Sequence, residues 1–438
     1  MHEGAAEVRR FLPEIEETLF ARLHLPPYRR ENFHADLARV TQGRIDPVLA
    51  DRLVATSNEA VHWMREIGIR WETEKTVEVE GKLYFEPGIY LHPIGGGLGL
   101  LLRLREIALA RGVEIRYGAA VRALLGSRRG IEGVLVSTAT GEYAVRAPSL
   151  ILCSGGFQAN IEMRARYLGR NADLVKVRGS RHNTGEVLQM ALALGARPAG
   201  HWQGAHMTPI DKGAPDLETP LRQDGRGNSM NRYDYTFGIT VNALGQRFYD
   251  EGENKHSLTY AKTGRAVLAQ PGGIAFQLYD ATGMALFRHG RDFPATMEEA
   301  GSIAALAGKI GIEPAVLSDS VARFNRACRA DVGFDPRRLD GKSTIGLDPP
   351  KSNWAVPLET PPFRAYPVTA GITFTFGGVA VDTEARVLDL SGEPIPGLFA
   401  SGDVVGLFFH NYPSCTGQTR NAVFSMLAGR NAAAHAAR

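Results

Sequence analysis

Cysteine is scarce in this chain. Cys153, Cys328 and Cys415 are the only three in 438 residues. They are odd in number, far apart and without metal-ligand spacing, so neither a disulfide framework nor a zinc site is expected, and a reducing cytoplasm fits. There is no run of 18 apolar residues, so no membrane span is expected. The opening MHEGAAEVRRFLPEIEE lacks an apolar h-region and does not read as a secretory signal. An excess of one charge is missing too: 50 Lys and Arg stand against 47 Asp and Glu, net +3. That balance gives no footprint for a nucleic-acid partner. Finally, residues 1–72 contain no strand followed by a glycine-rich turn, so no dinucleotide fingerprint opens the chain.

What is present suits a large globular enzyme. A 44% hydrophobic content in 438 residues can bury two cores, and 49 Gly with 24 Pro implies many turns. The organising stretch is 394–438. Leu398-Phe399-Ala400 reads as a buried strand ended by Ser401-Gly402-Asp403. A glycine and aromatic loop runs through His410-Asn411-Tyr412-Pro413. Thr416-Gly417-Gln418-Thr419 then opens a helix, with Thr416 or Thr419 as N-cap. A helix start offers unpaired N–H groups to an anion, and Asp403 could accept from sugar-like hydroxyls. An ordinary C-terminal strand, polar loop and helix accounts for the same residues.

Upstream, Leu53, Ala60, Val61, Met64 and Ile67 mark an amphipathic helix. Gly95-Gly96-Gly97-Leu98-Gly99 precedes another helix, but its spacing is not that of a phosphate loop. Val113–Tyr117 reads as a strand, Ala119–Leu124 as another, and GIEGVLVSTA and GEYAVRA as a hairpin. Leu150–Cys153 is a short buried strand, and Ser154-Gly155-Gly156 permits close backbone approach. A helix follows Asn183-Thr184-Gly185, and LAGKIGI and AVLSDSVARFNRACRAD supply two more. Residues 347–368 read as a proline-rich crossing, after which 371–382 enter a sheet.

HNYPSCTGQTRNAVF and GITFTFGGVAVDTEARV resemble the FAD-dependent oxidoreductases of the fumarate reductase/succinate dehydrogenase flavoprotein superfamily, and within it the tricarballylate dehydrogenase-like proteins. The likeness runs over nearly the whole chain. It implies an α/β fold: a Rossmann-like FAD-binding domain in two parts, 1–160 and 361–438, with an α+β capping domain at 161–360 inserted between them. It implies FAD as cofactor. The Val121 backbone would touch the adenine end, and Ser154, Gly155 and Gly156 the ADP part. Gly402 and Asp403 would meet the ribityl chain, and Thr416, Gly417, Gln418 and Thr419 would lie against the isoalloxazine ring.

The resemblance also distributes catalytic roles. Tyr260 stands where fumarate reductases carry a proton-donating arginine and ketosteroid dehydrogenases a tyrosine, so it is the first choice for general acid/base. A phenol starts near pKa ~10 and would need Lys262 or Arg265 to lower it. His206 matches a substrate-binding histidine, His410 is the loop histidine, and Arg265 and Arg232 are further carboxylate partners. The resemblance implies a small-molecule substrate, a small polycarboxylate, with room for an electron-transfer partner.

Departures from the pattern matter. Thr373-Phe374-Thr375-Phe376 replaces a histidine pair, Ser414-Cys415-Thr416-Gly417 lacks the loop arginine, and Val187 replaces a glycine. Fumarate itself is therefore not the expected substrate. The family's first βαβ unit, about 50 residues when the ~30-residue fingerprint unit and its loop are counted, has no counterpart here. An internal methionine read as the start, or a deletion, would produce this. The alternatives are a 3-ketosteroid-type dehydrogenase and a remnant that no longer holds FAD.

Overall fold

The long strand Phe363–Thr375 is buried along almost its whole length, the pattern of a strand covered on both faces. In this computed structural model, which describes residues 2–73, 77–79 (backbone only), 81–85, 91–218, 230–287 and 296–438, it is the spine of a six-stranded sheet. Lys176–Val177 runs parallel to it at Gly371 and Ile372. Ala205–Asp211, Ala275–Tyr279 and Glu298–Ala300 pair with it antiparallel, and Ile239–Asn242 joins through Ala275–Tyr279. The proline-rich crossing expected over 347–368 thus ends sooner, because Phe363–Val368 is the first half of this strand. Pro367 has no N–H to donate, yet its carbonyl accepts from the Lys212 N–H at 3.0 Å, so the ladder survives it. The segment Gly371–Thr375 also belongs to this sheet. The chain next pairs at Gly378–Val379, with Pro198–Ala199.

The helix His256–Leu268 lies on Ala205–Asp211. Gly264 makes that seating tight: a Cβ there would stand 2.6 Å from the Met207 carbonyl carbon and 2.7 Å from Thr208 backbone atoms. Helices Ile303–Ile310 and Pro314–Ala327 form where the apolar spacing puts them, and enclose a separate core with Ile239, Leu278 and Ala365.

The expected strands Leu150–Leu152 and Pro394–Ala400 pair in parallel, Leu398 opposite Leu150 and Ala400 opposite Leu152. Against them packs the C-terminal helix Thr416–Ala436, which also lies along Pro47–Ile67. Leu53, Ala60, Leu398, Phe399, Val423 and Leu427 share one core. The hairpin strands become a three-stranded antiparallel sheet, Ala120–Ser127, Gly130–Thr138 and Gly141–Arg146.

Val113–Tyr117 is not a strand. Its side chains are exposed, Val113 at 52% and Tyr117 at 73%, and among the described residues no strand lies beside it. Extended backbone is stabilised by a ladder neighbour and a covered face, and this segment has neither. The preceding helix Gly96–Ala110 likewise leaves Leu98, Leu101, Leu102 and Leu109 exposed. No helix among the described residues is long and apolar enough to cross a membrane.

Gly264→Ala tests the helix seating. The added methyl has no space against strand backbone, so overpacking should cost about 1–3 kcal/mol. The urea midpoint should fall with an unchanged slope. A midpoint equal to the wild type's would show that the helix is less closely seated.

Candidate active site

Three side chains from three elements meet in a hydrogen-bonded chain. The Tyr260 hydroxyl, on the helix His256–Leu268, lies 3.0 Å from the Tyr412 hydroxyl, which lies 2.7 Å from His206 Nδ1. His206 stands opposite Phe374 in the sheet and is only 3% exposed. Its ring is edge-on to Tyr260 at 5.0 Å and to Phe374 at 5.5 Å. The loop bearing Tyr412 is tied to the helix by Asn411, whose Nδ2 donates to the Leu258 carbonyl at 2.9 Å. The family resemblance singles out Tyr260 and His206. Tyr412 declares itself only through these contacts, although it stands in the same aromatic loop as His410.

Burial dominates the electrostatics of this chain. It pushes the Tyr260 phenol above its usual value, with the neighbouring Tyr233 adding to the rise. Tyr412 is raised by burial and then by Tyr260, and His206 is held well below the usual imidazole value by burial and then by Arg178. All three groups are therefore neutral at neutral pH. The expectation that Lys262 or Arg265 lowers the Tyr260 phenol is not met. Lys262 is exposed and turned to Glu253 at 2.7 Å, and the loss of solvation outweighs any distant charge.

His410 is held differently. It has a left-handed backbone, φ 58°, uncommon for a residue with a Cβ. Its N–H donates to His201 Nδ1 at 3.1 Å, and the two rings meet at 4.9 Å. No hydrogen bond or ring contact joins His410 to Tyr260. His201 is pushed down to about 4 by burial, then by His410, Arg265 and Arg44. Arg265 is half-buried, and its side chain makes neither hydrogen bond nor ion pair among the described residues; burial lowers its pKa. Arg232, expected as a carboxylate partner, is already committed: its Nη2 lies 2.6 Å from Asp211 Oδ2, with side-chain exposures of 6% and 0%. A buried pair of this kind leaves no charge for a ligand.

The residues expected around FAD form a cradle next to this chain. At the end of Leu150–Leu152, the Ser154 hydroxyl is buried without a partner. Gly155 has φ +74°, and a Cβ on it would meet the Asn183 side chain at 2.8 Å, while one on Gly156 would collide with Thr375 Oγ1. Backbone can approach here only because no side chain intervenes. At the end of Pro394–Ala400, Gly402 turns the chain and Asp403 pairs with Arg420. Arg420 is 1% exposed and lies over Phe408 at 5.1 Å and Phe374 at 5.4 Å. It is a residue the motif contains but residue spacing does not single out. One Asp403 oxygen is thereby engaged, which leaves the other for a hydroxyl.

The helix Thr416–Ala436 is capped by neither threonine. Cys415 occupies the N-cap position with φ 61° and no side-chain cap bond. Thr419 Oγ1 instead donates back to the Cys415 carbonyl at 3.3 Å. The left-handed turn at Cys415 aims the chain so that Thr416 is buried at N1 and cannot reach an N3 amide. The Thr416 N–H bonds Pro413 and the Thr419 N–H bonds Cys415, which leaves the Gly417 and Gln418 N–H groups directed out of the helix end. A Cβ on Gly417 would stand 3.6 Å from the Phe374 ring and 3.8 Å from Tyr412, so this helix end abuts the Tyr260–Tyr412–His206 chain. The unpartnered Ser154 hydroxyl, the side-chain-free turn at Gly155 and Gly156, and the open N–H groups of a long helix fit the polar groups of FAD. Val121 lies in the antiparallel sheet opposite Val136, half-buried and just before a bulge.

Residues 24–418 match the family described as FAD binding domain. A probable fumarate reductase of Shewanella frigidimarina is 31% identical over 359 residues, covering 78% of this chain and 55% of its own length. The 4-oxocyclohexanecarboxylate 2-dehydrogenase of Sinomonas cyclohexanicum is 29% identical over 370 residues, covering 78% of this chain and 62% of its own. Among solved structures, the open conformation of a flavocytochrome c3 fumarate reductase superposes with a TM-score of 0.69 at 25% identity, over 94% of this chain and 68% of that one. The chain thus spans a little over half the length of these two curated relatives.

Two outcomes follow from the geometry. Asp403→Ala would leave the Arg420 guanidinium buried without its ionic partner, at a cost of about 3 kcal/mol, while Asp403→Asn should cost less; chemical denaturation of both variants checks the order, and equal midpoints would show that the pair does not hold the turn. For His201, the unfolded chain binds a proton near pH 6.5 that the folded site refuses until about pH 4. Stability should therefore fall as pH drops through that window. In His201→Gln the urea midpoint should depend less steeply on pH there, and an unchanged slope would refute the low value.

Proposed function

The chain belongs to the FAD binding domain family, and on that premise we propose that it is an FAD-dependent oxidoreductase acting on a CH–CH or C=C bond of a small polycarboxylate, of the tricarballylate type, with Tyr260 moving the proton. The observation that carries this reading is the neutral Tyr260–Tyr412–His206 chain set against the open end of the helix Thr416–Ala436. FAD, when bound, takes or gives the hydride. The protein's residues do the rest. The Tyr260 hydroxyl holds a proton at the site, and the Tyr412 hydroxyl and His206 Nδ1 fix its direction. Because burial raises both phenols, Tyr260 is protonated at neutral pH and serves directly as a donor when a double bond is reduced. In the oxidative direction it must first give up that proton, so that direction should accelerate with rising pH.

A carboxylate-bearing substrate is supported by Arg265, a half-buried cation that pairs with no carboxylate among the described residues. It is also supported by the two relatives, whose names give fumarate and 4-oxocyclohexanecarboxylate as their substrates. The division into 1–160, 161–360 and 361–438 belongs to the same reading, as do an external electron-transfer partner and the roles of Gly402, Asp403, Gln418 and Thr419 toward FAD.

Tyr260→Phe removes only the hydroxyl. Turnover of tricarballylate with a dye acceptor should fall by about 10²–10⁴, with flavin absorbance and melting temperature unchanged. Tyr412→Phe should cost less, since it orients the donor. Retention of wild-type turnover by Tyr260→Phe would remove it as the proton carrier, and turnover of a 3-ketosteroid in place of any polycarboxylate would overturn the substrate class.

A further inference from the structure

Resting on the polycarboxylate reading, we infer that Arg178 is a specificity-determining residue that binds a carboxylate of the substrate. Nothing in the motif pattern points to it. Arg178 directly follows the strand Lys176–Val177, and its backbone N–H donates to the Ile372 carbonyl at 2.8 Å. Its Cα is therefore fixed to the edge of the long strand Phe363–Thr375. Its guanidinium is steered by two neutral acceptors: Nε donates to Asn231 Oδ1 at 2.8 Å and Nη1 to Thr373 Oγ1 at 2.6 Å. No carboxylate pairs with it among the described residues.

That arrangement is unlike the deeply buried arginines. Arg232, Arg247 and Arg420 each face an aspartate or glutamate. Arg164 has three backbone carbonyls, at 2.7 to 3.0 Å, filling its fork. Arg178 is half-buried with two of its five N–H donors used, which leaves the Nη2 pair for a planar anion. A partly desolvated guanidinium without a counter-charge is unfavourable. A ligand carboxylate would supply that charge in the bidentate geometry guanidinium prefers.

Its position is at the site. His206 pairs with Phe374 and Met207 with Ile372, so Thr373 is the residue a bulge leaves unpaired. Bulges re-aim side chains and are frequent beside active sites. The adjacent Phe374 ring lies 5.5 Å from His206 and 5.3 Å from Tyr412. The charge of Arg178 acts on both His206 and Tyr412, second to burial at the histidine. His206 Nε2 is itself buried without a partner. With Arg265, Arg178 makes two cations on separate elements that no carboxylate pairs with among the described residues, which suits a substrate with at least two carboxylates.

The test is equilibrium binding of tricarballylate to the purified flavin-loaded protein by calorimetry, with its trimethyl ester as the uncharged probe. Arg178→Met should raise the Kd for tricarballylate about ten- to a hundredfold, the loss expected for a charge-assisted hydrogen bond. Arg178→Lys, which keeps the charge but not the fork, should recover part of it. Ester binding, weak in the wild type, should be the same in both variants. Melting temperatures verify folding, and Arg178→Lys carries the test if the methionine variant does not fold. Wild-type affinity for tricarballylate in a folded variant would overturn the role of Arg178 while leaving the polycarboxylate reading intact. Turnover of a neutral ketosteroid by a wild type that binds no polycarboxylate would overturn both.

Discussion

The buried guanidinium of Arg420 is the contact on which the site's geometry depends. It belongs to the C-terminal helix, pairs with Asp403 at the end of the strand Pro394–Ala400, and lies over the rings of Phe374 and Phe408. Phe374 lies one residue from the end of the spine of the large sheet, and its ring also touches His206 and Tyr412. One desolvated cation thus joins the turn expected to meet the ribityl chain, the helix end that offers N–H groups, and the aromatic wall of the proton-bearing chain. Desolvating an arginine is costly unless its charge is matched, so these elements adopt their relative positions together.

Burial, more than charge, sets the chemistry available at Tyr260. Polar residues within an aromatic enclosure lose solvation, and loss of solvation favours the neutral form of acids and bases alike. The result is a line of neutral donors and acceptors in which a proton has a defined place. The charges lie around it. Among the described residues no carboxylate pairs with Arg265 or Arg178, whereas Arg232 is matched by Asp211 and silent. The proposed carboxylate binding rests on that division between matched and unmatched arginines, and the division follows from partners in space.

Much of the architecture was legible in the residues. The apolar stripe over Leu53, Ala60 and Met64, the strands at Leu150 and Leu398, the hairpin turned at Gly141, and the helix beginning at Thr416 all form, because local spacing and turn chemistry already agree with the packing. Where expectations failed, a neighbour was decisive. Val113–Tyr117 has strand composition but no ladder. Phe363–Val368 has a proline yet gains a partner strand in Ala275–Tyr279. Thr416 and Thr419 are good capping residues, but the positive φ at Cys415 takes the N-cap position from both.

The sequence by itself determined the fold class, the family, FAD as cofactor, and Tyr260, His206 and the Asp403 turn as places to look. The elements come from periodicity and glycine positions, while the family, FAD, Tyr260 and His206 come from the resemblance that short motifs carry; all of these are local signals that need no knowledge of what lies across the core. Tertiary structure alone decided that Tyr412 links Tyr260 to His206, that His410 pairs with His201, that Asp403 is held by Arg420, and that Arg232 is spent on Asp211. Each of these is a contact between residues 17 to 209 positions apart. Desolvation and pairing depend on distance in space, which residue order does not encode until the chain has folded.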